Sequence, residues 1–423
     1  MSTIEKHDMT QGKILLPLVS FTIPLVLGNL FQLTYNAADS VIVGKYVGEQ
    51  ALAAVGTSTP IMNIAILLIS GMCMGASVLM SSQYGAKDYD TLSRQISTTM
   101  LAGCGFSVVF SLLMLLLANP VLRLIRVPET AIPEAAAYLR IIFMGLIFTF
   151  MYNFLANTMR ALGDSKTPLY FLVTSAFLNI FGDLFFVVVL RWGVAGSAIA
   201  TVCSEGLCCL LCGIYIKKKI PLLCLGKKWW VFDKSLLGKT VSYGSTSAMQ
   251  QVCLQLGKLI IQSVVNTQGV AVMAAFTAVN RVDDFAYTPQ QNIGHAMTTF
   301  LAQNKGAGHK ERMKKGFQTG LLIELVYSIG LFCVIWGLAP QIMTLFAEDG
   351  DAQVVSLGIS YLHLISWMYI LPGLTNGVQG FFRGIGDLKV TLYSTFMNMF
   401  GRVVAVFVMI RLLQMEFASL AWA

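Results

Sequence analysis

Arg160-Ala161-Leu162-Gly163-Asp164-Ser165-Lys166 returns as Arg383-Gly384-Ile385-Gly386-Asp387-Leu388-Lys389, 223 residues further on. Working outward, Gly48-Glu49-Gln50-Ala51-Leu52-Ala53-Ala54 returns as Gly269-Val270-Ala271-Val272-Met273-Ala274-Ala275, at an offset of 221. Gln83-Tyr84-Gly85-Ala86 returns as Gln303-Asn304-Lys305-Gly306-Ala307 with one residue inserted, and Asn179-Ile180-Phe181-Gly182 as Asn398-Met399-Phe400-Gly401. Offsets that hold between 219 and 223 along the chain are not produced by shared composition. They read as one unit duplicated.

What kind of unit follows from the apolar content. Of 423 residues, 56% are hydrophobic and 12% charged, with a mean hydropathy of +0.70. Soluble domains run at about 45–50% apolar and about 25% charged, so this chain lacks the charge to coat a water-facing surface. Membrane spans need ~20 apolar residues each. The sequence supplies windows near 14–38, 51–81, 95–118, 135–157, 168–190, 194–216, 240–265, 270–302, 316–339, 354–378 and 388–411. A further apolar run starts at Met415 and stops at Ala423. The separators carry turn signals such as Asn119-Pro120, Val127-Pro128 and Ile220-Pro221. Met1–Lys13 is polar without a cleavage signature, so no removable signal peptide is expected.

The expected fold is all-α and integral to the membrane, with two six-helix lobes. A cytoplasmic tail (1–13) precedes an N-lobe (14–216), a basic linker (217–239) and a C-lobe (240–423) whose last helix is truncated. The truncation reads as a fragment of a longer chain. An even number of spans starts both copies on the same side, so the pseudo-two-fold axis is expected along the membrane normal, with substrate held between the lobes.

Lys and Arg set the orientation. Twenty fall in the N-terminal tail and the even-numbered loops, seven of them between 217 and 239, against five on the other side. By the positive-inside rule the N-terminus is cytoplasmic, and the acidic cluster Glu348, Asp349 and Asp351 faces outward. The same topology absorbs the net charge of +8, which would otherwise suggest nucleic acid. No nucleic-acid partner is expected, and the chain is expected as a monomer in the lipid bilayer. The cysteines show no metal or disulfide spacing, and Cys209 and Cys212 lack the βαβ context of a redox pair. No phosphate-binding loop occurs and no nucleophile stands beside a base, so neither ATP hydrolysis nor another enzymatic activity is expected, and no cofactor. The scattered histidines, His295 and His363 among them, read as packing residues.

Intramembrane charge is what remains. A carboxylate in hydrocarbon costs on the order of 2.5–3.5 kcal/mol on insertion scales, which makes it a functional candidate. The first lobe supplies Asp39, Asp183 and Glu205. Asn179 and Asp183 are one helical turn apart, as are Thr201 and Glu205, so each pair shares a helix face. Together with Asp39 they make a pocket of carboxylate, amide and hydroxyl oxygens. Such a pocket suits Na⁺, with Asp39, Asn179, Asp183 and Thr201 as its ligands, or H⁺ held on a desolvated acid. Like charges in a low dielectric cannot all stay ionised, which favours H⁺ with Na⁺ competing. Pro24 falls inside the first span and is expected to kink it or free a carbonyl there. In the second lobe Asp183 aligns with Arg402 and Asp39 with Ile260, so the carboxylates are not duplicated. There Lys258, Arg281, Asp283, Asp284, Glu324 and Arg402 are expected to neutralise one another.

These residues resemble the multidrug and toxic compound extrusion (MATE) family along the whole chain. The likeness rests on Asp39 with Gly44, on Gly48 with Ala51-Leu52-Ala53-Ala54-Val55-Gly56, and on Gln83-Tyr84-Gly85-Ala86. Asn153 with Arg160 to Pro168, and Gly193-Val194-Ala195-Gly196 with Ala198, Ala200 and Thr201, complete it. The resemblance implies efflux of organic, often cationic, drugs or metabolites across a prokaryotic plasma membrane, driven by inward H⁺ or Na⁺. It is closer to the DinF-like branch, whose coupling site resembles Asp39, Asn179, Asp183 and Thr201, with Pro24 at the bend of span one. The NorM-like branch carries a Glu in span seven, where this chain reads Ser247-Ala248-Met249-Gln250-Gln251. Glu205 stands where relatives have an uncharged polar residue. The alternative function, a lipid-linked oligosaccharide flippase of the related fold, calls for a basic cavity, and only four basic residues lie within spans.

Overall fold

The computed structural model describes residues 8–125, 127–220, 231–346 and 352–409. The tail before Asp8, Arg126, residues 221–230 of the basic linker, the acidic cluster at 348–351, Arg411 and the truncated last span lie outside the described residues. Among those described, the chain is helical without a strand.

The first copy comprises α1 (Leu15–Tyr46), α2 (Glu49–Gly85), α3 (Tyr89–Leu124), α4 (Ile132–Met144), α5 (Leu146–Ala161), α6 (Lys166–Asp183) and α7 (Gly193–Lys219). The second comprises α8 (Lys234–Val265), α9 (Val270–Gly306), α10 (Lys310–Phe346), α11 (Ala352–Ser366), α12 (Ile370–Gly384) and α13 (Leu388–Phe407). Among the described residues eight helical stretches, with α11 and α12 taken as one, are long and apolar enough to cross a membrane, or nine if α4 and α5, bent by 47°, form one span. α8 and α9 are as long, at 32 and 37 residues, but more polar. They carry Lys258, Arg281, Asp283, Asp284 and Gln290, which lowers their mean hydropathy.

The repeated sequence signals are helix ends. Gly48 and Gly269 precede α2 and α9 with φ of 118° and 104°. Gly163 and Gly386 end α5 and α12 with φ of 92° and 84°. Those dihedrals are open to glycine and costly for other residues. Asp164 Oδ1 then accepts the N–H groups of Lys166 and Thr167 at 3.1 and 3.0 Å, satisfying donors that the start of α6 leaves free.

The irregularities are copied as well. α4 breaks into α5 at Gly145, and α11 breaks into α12 through a 3₁₀ turn at Trp367–Tyr369. α6 passes into a π-helix at Leu184–Val189, and α13 into π geometry at Val408. These positions correct one alignment. Within an unbroken helix an offset cannot change, so the 223 set at Lys166 and Lys389 holds along α6 and α13. Asn179 therefore matches Arg402, and Asp183 matches Val406. The Asn398 echo is one turn out of register.

The chain divides into two compact units. The first holds Ile23–Ala248, the second Thr10–Thr22 and the residues from Met249 onward. In the first unit, α2 to α5 enclose a core that includes Ile69, Leu92, Leu139, Phe143, Phe150 and Met159. Arg94 pairs with Asp233 at 2.6 Å, and Gln95 donates to Thr240 at 2.6 Å, fastening the start of α8 to α3. In the second unit, α8 to α11 and α13 enclose a core that includes Val265, Val279, Ala339, Met343 and Leu362.

Candidate functional site

The polar residues of α6 and α7 meet because the two helices approach closely. A methyl on Gly182 would stand 2.9 Å from Cβ of Ala200, and one on Gly196 would stand 3.0 Å from the backbone of Phe186. Between these contacts Asn179 Nδ2 donates to Thr201 Oγ1 at 3.2 Å. Asp183, fully buried, is the last residue of α6 before the π-helix. Such π segments widen a helix and recur at functional sites.

Asp39 comes from α1. Its Oδ1 accepts from Ser197 Oγ at 2.7 Å, and its carboxyl group lies within hydrogen-bonding reach of that of Asp183. Apart from Asp39, neither oxygen of Asp183 has a hydrogen-bond partner, and the amide oxygen of Asn179 has none either. Among the described residues no lysine or arginine enters the pair. Two carboxyl groups facing each other away from water cannot both carry charge without a cation between them. The oxygen set therefore fits a shared proton or a hard monovalent cation.

Glu205 is held elsewhere. It accepts a hydrogen bond from Thr149 Oγ1 of α5, three residues beyond the break in that span. The sequence suggested three carboxylates in one pocket. The structure provides a pair and a separate acid, and among the described residues no group of three Asp, Glu, His or Cys side chains is arranged to hold a metal ion. Pro24 lies buried inside α1, fifteen residues before Asp39.

Four participants escaped the sequence reading. Ser197 and Thr149 donate to the acids, and Tyr35 and Tyr138 stand within electrostatic range of Asp39 and Glu205. Ser197, Thr201 and Glu205 recur every four residues on α7, so the polar stripe that includes Ser197 was visible in the sequence. Tyr35 precedes Asp39 by one turn in the same way. Thr149 and Tyr138 had no such signal, because their partners lie on other helices.

In the second unit Lys258 pairs with Asp284 at 3.2 Å, and Tyr369 donates its hydroxyl to Asp283. Glu324 departs from the expected neutralisation. It is fully buried, and among the described residues neither carboxylate oxygen has a hydrogen-bond partner. His363 stacks on Trp336 with ring centroids 4.5 Å apart, and His295 Nδ1 lies 3.3 Å from Arg383 Nη1.

Comparison with known proteins matches this geometry to a family. The MatE family model matches twice, over 24–185 and 247–408, in the register that the helix ends define. The probable multidrug resistance protein YpnP of Bacillus subtilis (strain 168) is 32% identical over 392 residues, covering 92% of this chain and 86% of that protein. YoeA of the same organism, also named a probable multidrug resistance protein, is 29% identical over 389 residues, covering 90% of this chain and 82% of its own length. A solved MOP-superfamily transporter from Pyrococcus furiosus superposes with a TM-score of 0.92 over 100% of this chain and 94% of that one, at 22% identity, and shares the fold. With its duplicated helical units and two matches to the family model, the chain is a multi-pass membrane transporter, not an enzyme, and belongs to the MatE (multidrug and toxic compound extrusion) family.

Proposed function

We propose that the chain is a secondary active antiporter of the plasma membrane, with a cytoplasmic N-terminus, that exports organic and often cationic compounds in exchange for inward H⁺ or Na⁺. Export of drugs is supported by the names of YpnP and YoeA. The cytoplasmic N-terminus is supported by the loop charges, twenty against five. Coupling is assigned to Asp39, Asn179, Asp183 and Thr201, with Ser197 positioning Asp39 and Glu205 as a separate acid held by Thr149. The uncharged stretch Ser247 to Gln251 in α8 supports a DinF-like arrangement with this site in the first unit.

The observation that carries the reading is the facing pair Asp39 and Asp183, without a neutralising base. One proton removes the repulsion and lets one acid donate to the other. Na⁺ would instead draw on both carboxylates, the Asn179 carbonyl and the Thr201 hydroxyl. Either ion drives transport only by binding one arrangement of the protein more tightly than the other. The pair without a third carboxylate favours H⁺, since hard-cation sites gain from added oxygen ligands.

The test is dye efflux from proteoliposomes, under a pH gradient in Na⁺-free buffer and under a Na⁺ gradient at fixed pH. Efflux under the pH gradient alone, lost in Asp39→Asn and Asp183→Asn, is the expected result. Efflux that needs Na⁺ and ignores pH would reject the proton, and full activity of either variant would remove that residue from the site.

A further inference from the structure

Glu324 sits near the middle of α10, fully buried, and takes no part in the pair formed by Asp39 and Asp183. Its surroundings are built around the broken span. Gln290 of α9 donates through Nε2 to the carbonyl of Tyr369 at 2.8 Å and to Ser328 Oγ at 3.1 Å. Ser328 in turn donates to the carbonyl of Glu324 at 2.7 Å. One turn beyond the 3₁₀ break, Gly373 closes the cluster. A methyl there would lie 2.8 Å from Ser328 Oγ, 3.1 Å from Gln290 Nε2 and 3.4 Å from Glu324 Oε2.

Acceptors outnumber donors in this cluster. Both carboxylate oxygens of Glu324 and the amide oxygen of Gln290 are buried without partners, while the donors of Gln290 and Ser328 are committed to other atoms. Among the described residues the neighbouring elements supply no hydrogen bond to the Glu324 carboxyl group. Tyr327 of α10 donates to the carbonyl of Ala286 at 3.0 Å, and Tyr369 gives its hydroxyl to Asp283 of α9. On α11, His363 stacks on Trp336, and Arg383 of α12 donates to Gln379 Oε1 at 3.1 Å and contacts His295 of α9. Lys258 of α8 pairs with Asp284.

We propose that Glu324, enclosed by Gln290, Ser328 and Gly373, is a second proton-binding site of this transporter, in its second unit and separate from Asp39 and Asp183. A proton supplies the donor that the cluster lacks and removes the charge that hydrocarbon disfavours. A metal cation fits less well, because Gln290 presents its nitrogen at this point and the gap beside Gly373 is too narrow for a methyl carbon. The assignment does not depend on which ion the first unit uses.

The test is infrared difference spectroscopy on the purified full chain in lipid nanodiscs, wild type against Glu324→Gln, at neutral pH. The comparison is made in the background Asp39→Asn, Asp183→Asn and in the native one, so failure of the first-unit reading leaves it intact. The expected result is a carboxylic-acid carbonyl band missing from the Glu324→Gln protein, shifted in heavy water and unaffected when Na⁺ replaces K⁺. Carboxylate bands in its place would overturn the proposal, as would loss of the carbonyl band on adding Na⁺. A band that heavy water leaves unshifted would mark a sealed acid and overturn it as well. Should Glu324→Gln not yield folded protein, Gly373→Ala is expected to shift the same band by pressing a methyl against the cluster, and an unmoved spectrum counts against the site.

Discussion

The same interhelical space is filled in opposite ways in the two units. α3 and α10 run at an offset of 221, and α5 and α12 at 223, so Gly103 matches Glu324 and Phe150 matches Gly373. In the first unit a methyl on Gly103 would overlap the Phe150 ring, so glycine yields to the aromatic on α5. In the second, glycine stands on α12 and the carboxyl reaches in from α10. Ile69, fully buried in the core of the first unit, holds the place that Gln290 takes in the second. The reverse exchange occurs at the end of the sixth helix of each copy, where Asp183 is matched by Val406, 2% exposed.

The duplicated scaffold therefore copies helix ends, breaks and glycine turns, while the polar interior is distributed afresh. That is what the physics of a membrane interior favours. Breaks are set by backbone geometry, which each copy needs in order to fold. An ionisable group costs free energy wherever it is buried, and persists only where a particular set of neighbours accommodates it. In the first unit that set is an acid facing an acid beside Ser197. In the second it is an acid in a slot left by a glycine.

The sharpest way to break the comparison is transport. Asp39→Asn or Asp183→Asn is expected to reduce gradient-driven dye efflux to the level of protein-free liposomes, with the protein still folded and inserted. Supplying an acid at the matching place, Val406→Asp in the Asp183→Asn background, is expected not to restore it. Next in size is the aromatic filling. Phe150→Ala removes a 1%-exposed ring from the core and is expected to cost about 3–5 kcal/mol, read by thermal unfolding in detergent. An unchanged midpoint would mean that the space opposite Gly103 collapses freely.

The converse change overfills the second unit. Gly373→Ala places a carbon 2.8 Å from Ser328 Oγ and is expected to cost about 1–3 kcal/mol in the same assay. A neutral effect would show that the Glu324 cluster is looser than its counterpart. Smallest are the partly exposed ion pairs, Arg94 with Asp233 in the first unit and Lys258 with Asp284 in the second. Arg94→Ala and Lys258→Ala are each expected to cost less than about 1 kcal/mol, and less still at high salt, read as a shift in the unfolding midpoint. A larger loss in one unit alone would make its pair part of a network rather than an isolated contact.

Much was legible before any coordinates. Apolar length implies helices in a membrane, because backbone groups in hydrocarbon must pair within their own segment. The paired motifs around Gly48 and Gly269, and around Gly163 and Gly386, mark helix ends because few residues other than glycine accept those dihedrals. Asp39 and Asp183 stood out for the cost of burying charge, and Ser197 was readable from the four-residue period it shares with Thr201 and Glu205. The register of Arg402 was not readable, since a four-residue echo at Asn398 competes with the true alignment until the unbroken helix decides.

What the amino-acid order determined by itself was everything local or additive: hydropathy, turn chemistry, helix-face periodicity and the duplication. What only the tertiary structure decided was partnership. It joined Asp39 to Asp183 across α1 and α6, sent Glu205 to Thr149 instead, and left Glu324 without the basic partner that its unit holds in Lys258, Arg281 and Arg402. Partnership depends on which helices touch and at what rotation, and small residues such as Gly182, Gly196 and Gly373 set those contacts by how closely they let one helix approach another.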